Sequence, residues 1–478
     1  MQKISLTFYG GVGATTGANF LLDWGPKILV DCGLLQGKKD ADVKNAENFA
    51  YDPSGVDALL VTHAHMDHIG RIPKLVKDGF AGKIYSTPET RRLAEPLLRD
   101  AYKIMIGKEE KSGVSRILYE EAHIDKALNM WQVHQYGESF ELEGTKVTFR
   151  DAGHILGSSM IEVEVEGKKI LFTGDLGNSP SPLLRDTEEV SGVDYMVMES
   201  VYGDRNHESK IERRNKLKDL INKTIKRGGE VVIPAFAVER TQVLLYELNN
   251  MVEDGEIESV PVFLDSPLAS KVTEIYKNST HLFNQAIQDE IKSGDNIFDF
   301  PKLKITHSHQ ESVGIDRISG PKIVMAGSGM SEGGRVLDHE ASALGDPKNM
   351  IILAGYQPVG TLGRRLLDGD KEVEIKGQRI KVRAEIESVQ GYSAHKDSEH
   401  LVEFVEKIST SPLDPSPALP ARQVAKARGK EQQENPKLKK VFVCMGEPKA
   451  SLFLAQRVRD YVGVEAIYPE ANKEYLLT

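Results

Sequence analysis

Thr62-His63-Ala64-His65-Met66-Asp67-His68 puts four potential metal ligands within six residues, His63 to His68. The apolar run Ala58-Leu59-Leu60-Val61 precedes it and reads as an interior strand. Side chains alternate on an extended chain, so His63 and His65 point the same way, and a turn then presents Asp67 and His68 to one side. The chain holds 13 His in 478 residues, so a chance cluster in a polar loop is the weaker reading. Imidazole nitrogen and carboxylate oxygen are the ligands zinc takes where thiolates are absent. Cysteine pairs are absent here: Cys32 and Cys444 are the two cysteines and neither sits in C-x-x-C. Two cysteines allow one disulfide at most, which fits a reducing cytoplasm.

Around this stretch the first 200 residues or so carry short apolar runs, each ending in a polar or acidic residue. Ile28-Leu29-Val30 runs into Asp31, Ile170-Leu171-Phe172 into Thr173, and Tyr195-Met196-Val197-Met198 into Glu199. Interior strands that deliver ligands from their C-terminal ends have this form. Residues 91–131 read as mostly helical, with a break near Gly107 to Gly113. From residue 207 strands alternate with helices, as in a mainly parallel α/β unit: Val231 to Pro234, Val262 to Asp265, Ile323 to Ala326 and Ile351 to Ala354 are buried strands, and Arg213 to Lys226 and Arg240 to Val252 are helices. The expected division is a first domain at 1–206, an insertion at 207–368 and the return of the first domain at 369–478. Within the return, 409–437 is rich in Pro, Lys, Arg, Gln and Glu and is expected to be a mobile surface insertion. No apolar run reaches the roughly 18 residues of a membrane helix. The net charge of −10 and pI near 5.8 weigh against a nucleic-acid binder that uses its whole surface, while leaving room for a local basic groove.

The hexapeptide resembles the H-x-H-x-D-H motif of the metallo-β-lactamase superfamily, and further motifs follow in that family's order. Val30-Asp31-Cys32-Gly33 resembles the first, Ala152-Gly153-His154 with Gly157-Ser158 the third, and Thr173-Gly174-Asp175 the fourth. The resemblance implies an αββα sandwich and two zinc ions: His63, His65 and His154 on one, Asp67 and His68 on the other, Asp175 bridging, and Asp31 orienting the metal loop. Two metals about 3.5–4 Å apart suit hydrolysis of an ester, amide or phosphodiester, because they supply hydroxide at neutral pH and clamp the reacting oxygens. Met198 to Arg205 is similar to the E-S-T-Y-G-D-R motif of the β-CASP branch, with Val201 in place of Thr. Ala326 to Met330 with Gly333-Gly334-Arg335, Gly355 to Gly363, and Gly391-Tyr392-Ser393-Ala394-His395 resemble further β-CASP stretches.

The likeness runs from Gly10 to Glu447 and points toward prokaryotic relatives of the endonuclease that cleaves mRNA 3′ ends. It implies an inserted α/β β-CASP domain and a nucleic-acid cleft between domains. It also implies His395 as general acid and phosphate contact, with Glu199 hydrogen-bonded to it. Ser328, Gly329 and nearby amides are candidates for a phosphate cradle or for an ordinary glycine turn. His339 is read as structural, and the remaining histidines as surface or packing residues, His307-x-His309 lying on a strand.

One departure is expected to matter. Members that process RNA carry a His within V-H-G-E near the C-terminus, and here Met445 of Val443-Cys444-Met445-Gly446-Glu447 stands there. A thioether is a poor zinc ligand, and Cys444, next to it on a strand, should point the other way. The second metal is therefore expected to be held by Asp67, His68 and Asp175 and to be less fully occupied. Members that act on DNA also lack this His. The leading expectation is a cytoplasmic zinc-dependent endonuclease acting on single-stranded RNA, with 5′→3′ exonuclease activity a further option and no membrane association. The alternatives are a DNA nuclease, a hydrolase of small esters or thioesters, and a weakened nucleic-acid-binding member. Targeting would come from the cleft, a homodimer or a partner.

Overall fold

The computed structural model describes residues 3–37, 40–112, 117–358, 360–410 and 437–478. The expected mobile insertion at 409–437 falls almost wholly outside them. The chain divides into two compact units: residues 1–179, 186–206 and 395–478 form one, and 180–185 with 207–394 form the other.

The first unit holds two seven-stranded sheets. One is ordered Glu474–Leu476, Ser5–Phe8, Phe20–Asp23, Lys27–Val30, Ala58–Leu60, Lys83–Ser86, Trp131–Val133. The other is ordered Glu465–Ile467, Lys440–Val443, Tyr195–Met198, Lys168–Phe172, Ser159–Val165, Thr145–Asp151, Ser139–Leu142. Period-two alternation fills both faces of the second sheet. Ile170, Phe172, Tyr195, Val197 and Phe442 join Leu6, Phe8, Phe20, Leu22 and Val30 in the core between the sheets. Leu171, Met196, Met198, Val441 and Val443 face the opposite way, onto Leu401, Val405 and Leu454 of the helices Ser398–Thr410 and Pro448–Arg457. On the other sheet's side the helices Ile72–Lys77 and Glu121–Asn129 bury Leu75, Val76, Ile124 and Leu128. The long helix Pro88–Ser112 runs through Gly107, and the Gly113 end of the expected break lies outside the described residues.

Parallel pairing places the ligand-bearing ends together. Val30 pairs with Leu60, Phe172 with Val197, and Met198 with Val443. The residues that follow, Asp31, Thr62-His63, Thr173 to Asp175, Glu199 and Cys444-Met445, therefore leave their sheets at neighbouring points.

The second unit is built on one six-stranded parallel sheet, ordered Leu303–Ile305, Val262–Asp265, Lys322–Ala326, Glu230–Pro234, Met350–Leu353, Glu385–Ser388. This corrects the expected end of the insertion at 368. Glu385–Ser388 adds to the sheet beside Met350–Leu353, so the unit continues to Ala394. The strand expected at His307 and His309 stops at Ile305, and His309 opens a helix to Ile315.

Candidate metal centre

Close packing of the motif loops requires two glycines. A Cβ on Gly33 would lie 1.5 Å from the carbonyl oxygen of Asp67, and one on Gly174, at φ +53°, would lie 2.7 Å from Cβ of Thr62. With both positions bare, the loop after Val30 and the turn before Asp175 seat directly on the histidine segment.

His63, His65, His154 and Asp175 bring one ligand atom each within 4.8 Å of one another. His63 Nε2 and His154 Nε2 lie 3.1 and 3.2 Å from His65 Nδ1. The same two atoms lie 3.3 and 3.5 Å from Asp175 Oδ2. Corners of a tetrahedron with zinc–nitrogen bonds of 2.0–2.1 Å stand about 3.3 Å apart. Burial, with neighbouring imidazolium charge, holds His63, His65 and His154 below the ordinary histidine range, which keeps them neutral and able to donate lone pairs.

His68 is set differently. Its Nδ1 lies 2.7 Å from Asp31 Oδ2. Asp31 also accepts from the Thr62 amide at 2.8 Å and the Thr62 hydroxyl at 2.7 Å. A proton held on Nδ1 by Asp31 leaves the Nε2 lone pair facing inward, 3.4 Å from Asp175 Oδ1 and 3.9 Å from Asp67 Oδ2. Burial opposes charge on His68, but Asp175, Asp31 and Asp67 outweigh it and raise its pKa well above the usual value. His68 Nε2 and Asp175 Oδ1 are buried atoms with no hydrogen-bond partner, and His68 Nε2 becomes an acceptor once a cation displaces its proton. Two orphaned lone pairs aimed at one point are costly unless a cation satisfies them. The donors present thus fit a divalent ion at the His63–His65–His154–Asp175 group. The lone pairs of His68 and Asp175, with Asp67 nearby, provide the beginnings of a second site.

Met445 adds nothing to that second site. It is 2% exposed and packed among Phe20, Phe442 and Cys444 in the inner core, and a Cβ on Gly11 would come 2.6 Å from its sulfur. Cys444 does not point away from it as strand alternation predicts. Met445 has φ +49°, which breaks the alternation, and both side chains line one small cavity with Asp31, Thr62 and His68. Burial, with Asp175, Glu199 and Asp31 nearby, pushes the Cys444 thiol well up, and its Sγ lies 3.4 Å from the Met198 carbonyl oxygen.

His395 stands beside the metal ligands. Its Nδ1 is 3.0 Å from Glu199 Oε2 and 3.9 Å from Asp175 Oδ2, and its ring is 4.5 Å from that of His154. Burial works against an imidazolium here, yet Glu199 and Asp175 raise the pKa to about 9. Glu199 accepts the Leu176 amide at 2.6 Å as well, so the carboxylate is fixed from two sides. Asp175, Glu199 and His395 form a second group of closely spaced ligand atoms. Lys396 donates to the Gly177 carbonyl at 2.7 Å and lies 3.2 Å from Ser179 Oγ, tying the His395 segment to the loop after Asp175. Sequence reasoning missed Thr62 and Lys396: a lone Thr or Lys beside a motif carries no pattern.

In the second unit Ser328 and Gly329 follow the strand Lys322–Ala326. The Ser328 amide donates to the Gly333 carbonyl at 3.0 Å, and its hydroxyl accepts from the Glu332 amide at 3.1 Å. A cradle here would use the Gly329 side of the turn, because the Ser328 amide is already committed. His339 is 1% exposed, with Nε2 2.7 Å from Asp265 and Nδ1 3.2 Å from Asp316. Arg335 donates to Asp265 as well. These are internal braces.

Such a sandwich, with a cluster of His and Asp at the ends of its strands, defines the metallo-β-lactamase type of metal-binding fold. The metallo-beta-lactamase superfamily profile matches residues 18–235, and the Beta-Casp domain profile matches 241–366. "Ribonuclease TTHA0252" of Thermus thermophilus is 35% identical over 399 residues, 83% of this chain and 90% of that protein. "Transcription termination factor FttA" of Methanosarcina mazei is 32% identical over 429 residues, 86% of this chain and 66% of that protein. A crystal structure of a protein of unknown function from Enterococcus faecalis superposes with TM-score 0.54 at 12% identity, covering 99% of this chain and 100% of that one, which speaks to the fold alone. The chain belongs to the metallo-β-lactamase superfamily and, within it, to the β-CASP branch.

Proposed function

We propose that the chain is a zinc-dependent ribonuclease that hydrolyses phosphodiester bonds of single-stranded RNA. Internal cleavage is the main mode, with 5′→3′ trimming from ends as a second. The observation that carries this reading is the adjacency of two groups in one unit: the His63–His65–His154–Asp175 cluster and the Glu199–His395 pair. A relative 35% identical over most of both chains bears the name ribonuclease, which supports RNA over a small ester as substrate. An all-His and carboxylate donor set supports zinc.

His63, His65, His154 and Asp175 would hold one ion, and Asp67 and His68 with Asp175 the other. Bound there, such a pair would activate water for attack at neutral pH and would offer positive charge to the phosphoryl oxygens. The chain's own residues do the rest. Asp31 keeps the His68 proton on Nδ1. Glu199 accepts the His395 Nδ1 proton, turns the ring and favours its charged form. Proton delivery to the leaving 3′ oxygen then falls to His395 Nε2. Asp175 lies 3.3, 3.4 and 3.5 Å from ring nitrogens of His63, His68 and His154, and Asp67 lies 3.9 Å from His68 Nε2, so both carboxylates face the imidazoles with which they would share the ions.

Two buried free cysteines support a reducing compartment, the cytoplasm. No helix among the described residues is long and apolar enough to cross a membrane. A homodimer is our proposal for assembly, and sedimentation measures it. Met445 favours a second reading, a DNA-directed or weakened member, because it occupies the position of a ligand that RNA-processing members carry. Incubation with labelled single-stranded RNA, single-stranded DNA and a chromogenic thioester, each with and without chelator, separates these readings. Chelator-sensitive cleavage of RNA ahead of the other two is expected. Preferential turnover of DNA or thioester, or none at all, refutes the ribonuclease reading.

A further inference from the structure

Phe236 lies 37% exposed and Tyr356 39% exposed, two and three residues past the ends of buried strands. Their position in the second unit is specific. Phe236 follows the strand Glu230–Pro234, and Tyr356 follows its parallel neighbour Met350–Leu353. From the first of these strands the chain crosses to Val262–Asp265 on one side. From the second it crosses to Glu385–Ser388 on the other. Connections that leave adjacent parallel strands in opposite directions open a crevice at the carboxyl ends, and open α/β sheets bind their ligands there.

The crevice is built rather than incidental. The Phe236 backbone is pinned, its carbonyl accepting from the Thr241 hydroxyl at 2.7 Å. Its ring rests on Gly329, where a Cβ would come within 2.8 Å of ring atom Cδ2. The Gly329 carbonyl accepts from Gln357 Nε2 at 3.0 Å, and Gln357 adjoins Tyr356. The Arg240 guanidinium lies against Gly355, where a Cβ would be 2.7 Å from one of its nitrogens. The loops that carry the two exposed rings, the Arg240 cation and the Gly329 turn therefore meet at one end of the sheet. Aromatic faces beside positive charge are the general means of holding single strands, because every base presents a π-face.

We propose that the Phe236–Tyr356 crevice is a base-stacking subsite for single-stranded RNA, with the Phe236 ring as the platform, an inference that rests on the ribonuclease reading above. Stacking contributes by the ring face, so apolar bulk alone does not replace it.

The test is a short oligoadenylate carrying 2-aminopurine, mixed with the metal-loaded protein in stopped flow and read before turnover. Fluorescence quenching on binding to wild type is expected. F236A and F236L should both lose that quench and bind about ten-fold more weakly, while F236W keeps both. F236L fills the contact on Gly329 without a π-face, which separates stacking from packing. Thermal melting confirms that each variant is folded. Binding and quenching by F236A and F236L equal to wild type overturn the subsite and leave the ribonuclease reading standing. A wild type that binds no RNA overturns both. Quenching of free 2-aminopurine ribonucleotide with none in the oligonucleotide also overturns it, since the crevice would then serve a free nucleotide.

Discussion

Asp31→Asn is the most informative single change at the metal centre. Asp31 sits at φ +59°, a conformation Asn adopts readily, so the backbone should accept the substitution. The geometry around it should not. Asp31 Oδ2 lies 2.7 Å from His68 Nδ1 and accepts the Thr62 hydroxyl at the same distance. Asn can still accept from the Thr62 amide through its carbonyl oxygen, but it then turns an NH2 group toward His68. A donor facing Nδ1 favours the opposite tautomer and puts a proton on Nε2, the atom 3.4 Å from Asp175 Oδ1. The charge-assisted hydrogen bond removed contributes about 1.5–3 kcal/mol. Loss of that order lowers affinity of the His68 site for metal by about 10- to 100-fold. Metal content by mass spectrometry after dialysis, and competition with a chromogenic chelator, read this directly. Thermal melting confirms the fold. An Asp31→Asn protein that holds two ions as tightly as wild type refutes the claim that Asp31 sets the His68 tautomer.

Three further outcomes are expected. Met445→His should raise retained metal toward two per chain, because an imidazole replaces a thioether near His68; metal content unchanged from wild type would count against it. His395→Ala should cut RNA turnover by about 10²- to 10⁴-fold while leaving metal content intact, and a parallel loss of metal would make His395 a ligand instead of an acid. His339, raised from 6.5 to about 9 by Asp265 and Asp316 against the effect of burial, contributes stability that is fully present below pH 6.5 and lost as pH rises through about 9. The shift corresponds to about 3 kcal/mol, so the gap in urea midpoint between wild type and His339→Gln should narrow across that window. A gap independent of pH would falsify the brace.

The site was legible wherever chemistry and spacing coincide. Three His in six positions after an apolar strand announce themselves, and His154 and Asp175 become visible once placed in order behind them. Partners that act through one hydrogen bond are not legible: Thr62 looks like any strand-end Thr until Asp31 is seen to accept from both its amide and its hydroxyl. Local rules failed where backbone conformation overrides them. Alternation sends Cys444 away from Met445, but the positive φ at Met445 returns both to one core. The insertion's end at 368 was misplaced because the hairpin Glu372–Ile375 with Gln378–Lys381 separates Met350–Leu353 from its edge partner Glu385–Ser388. Glu385–Ser388 is four residues long, too short to reveal from its own sequence which sheet it joins.

Cleavage of labelled single-stranded RNA by metal-stripped protein, before and after zinc is restored, bears most directly on the central claim. No cleavage without metal, recovery on addition of zinc, and no recovery in a His63→Ala, Asp175→Asn protein is the outcome the geometry demands. Cleavage that persists in metal-free protein, or returns in that double variant, would contradict it.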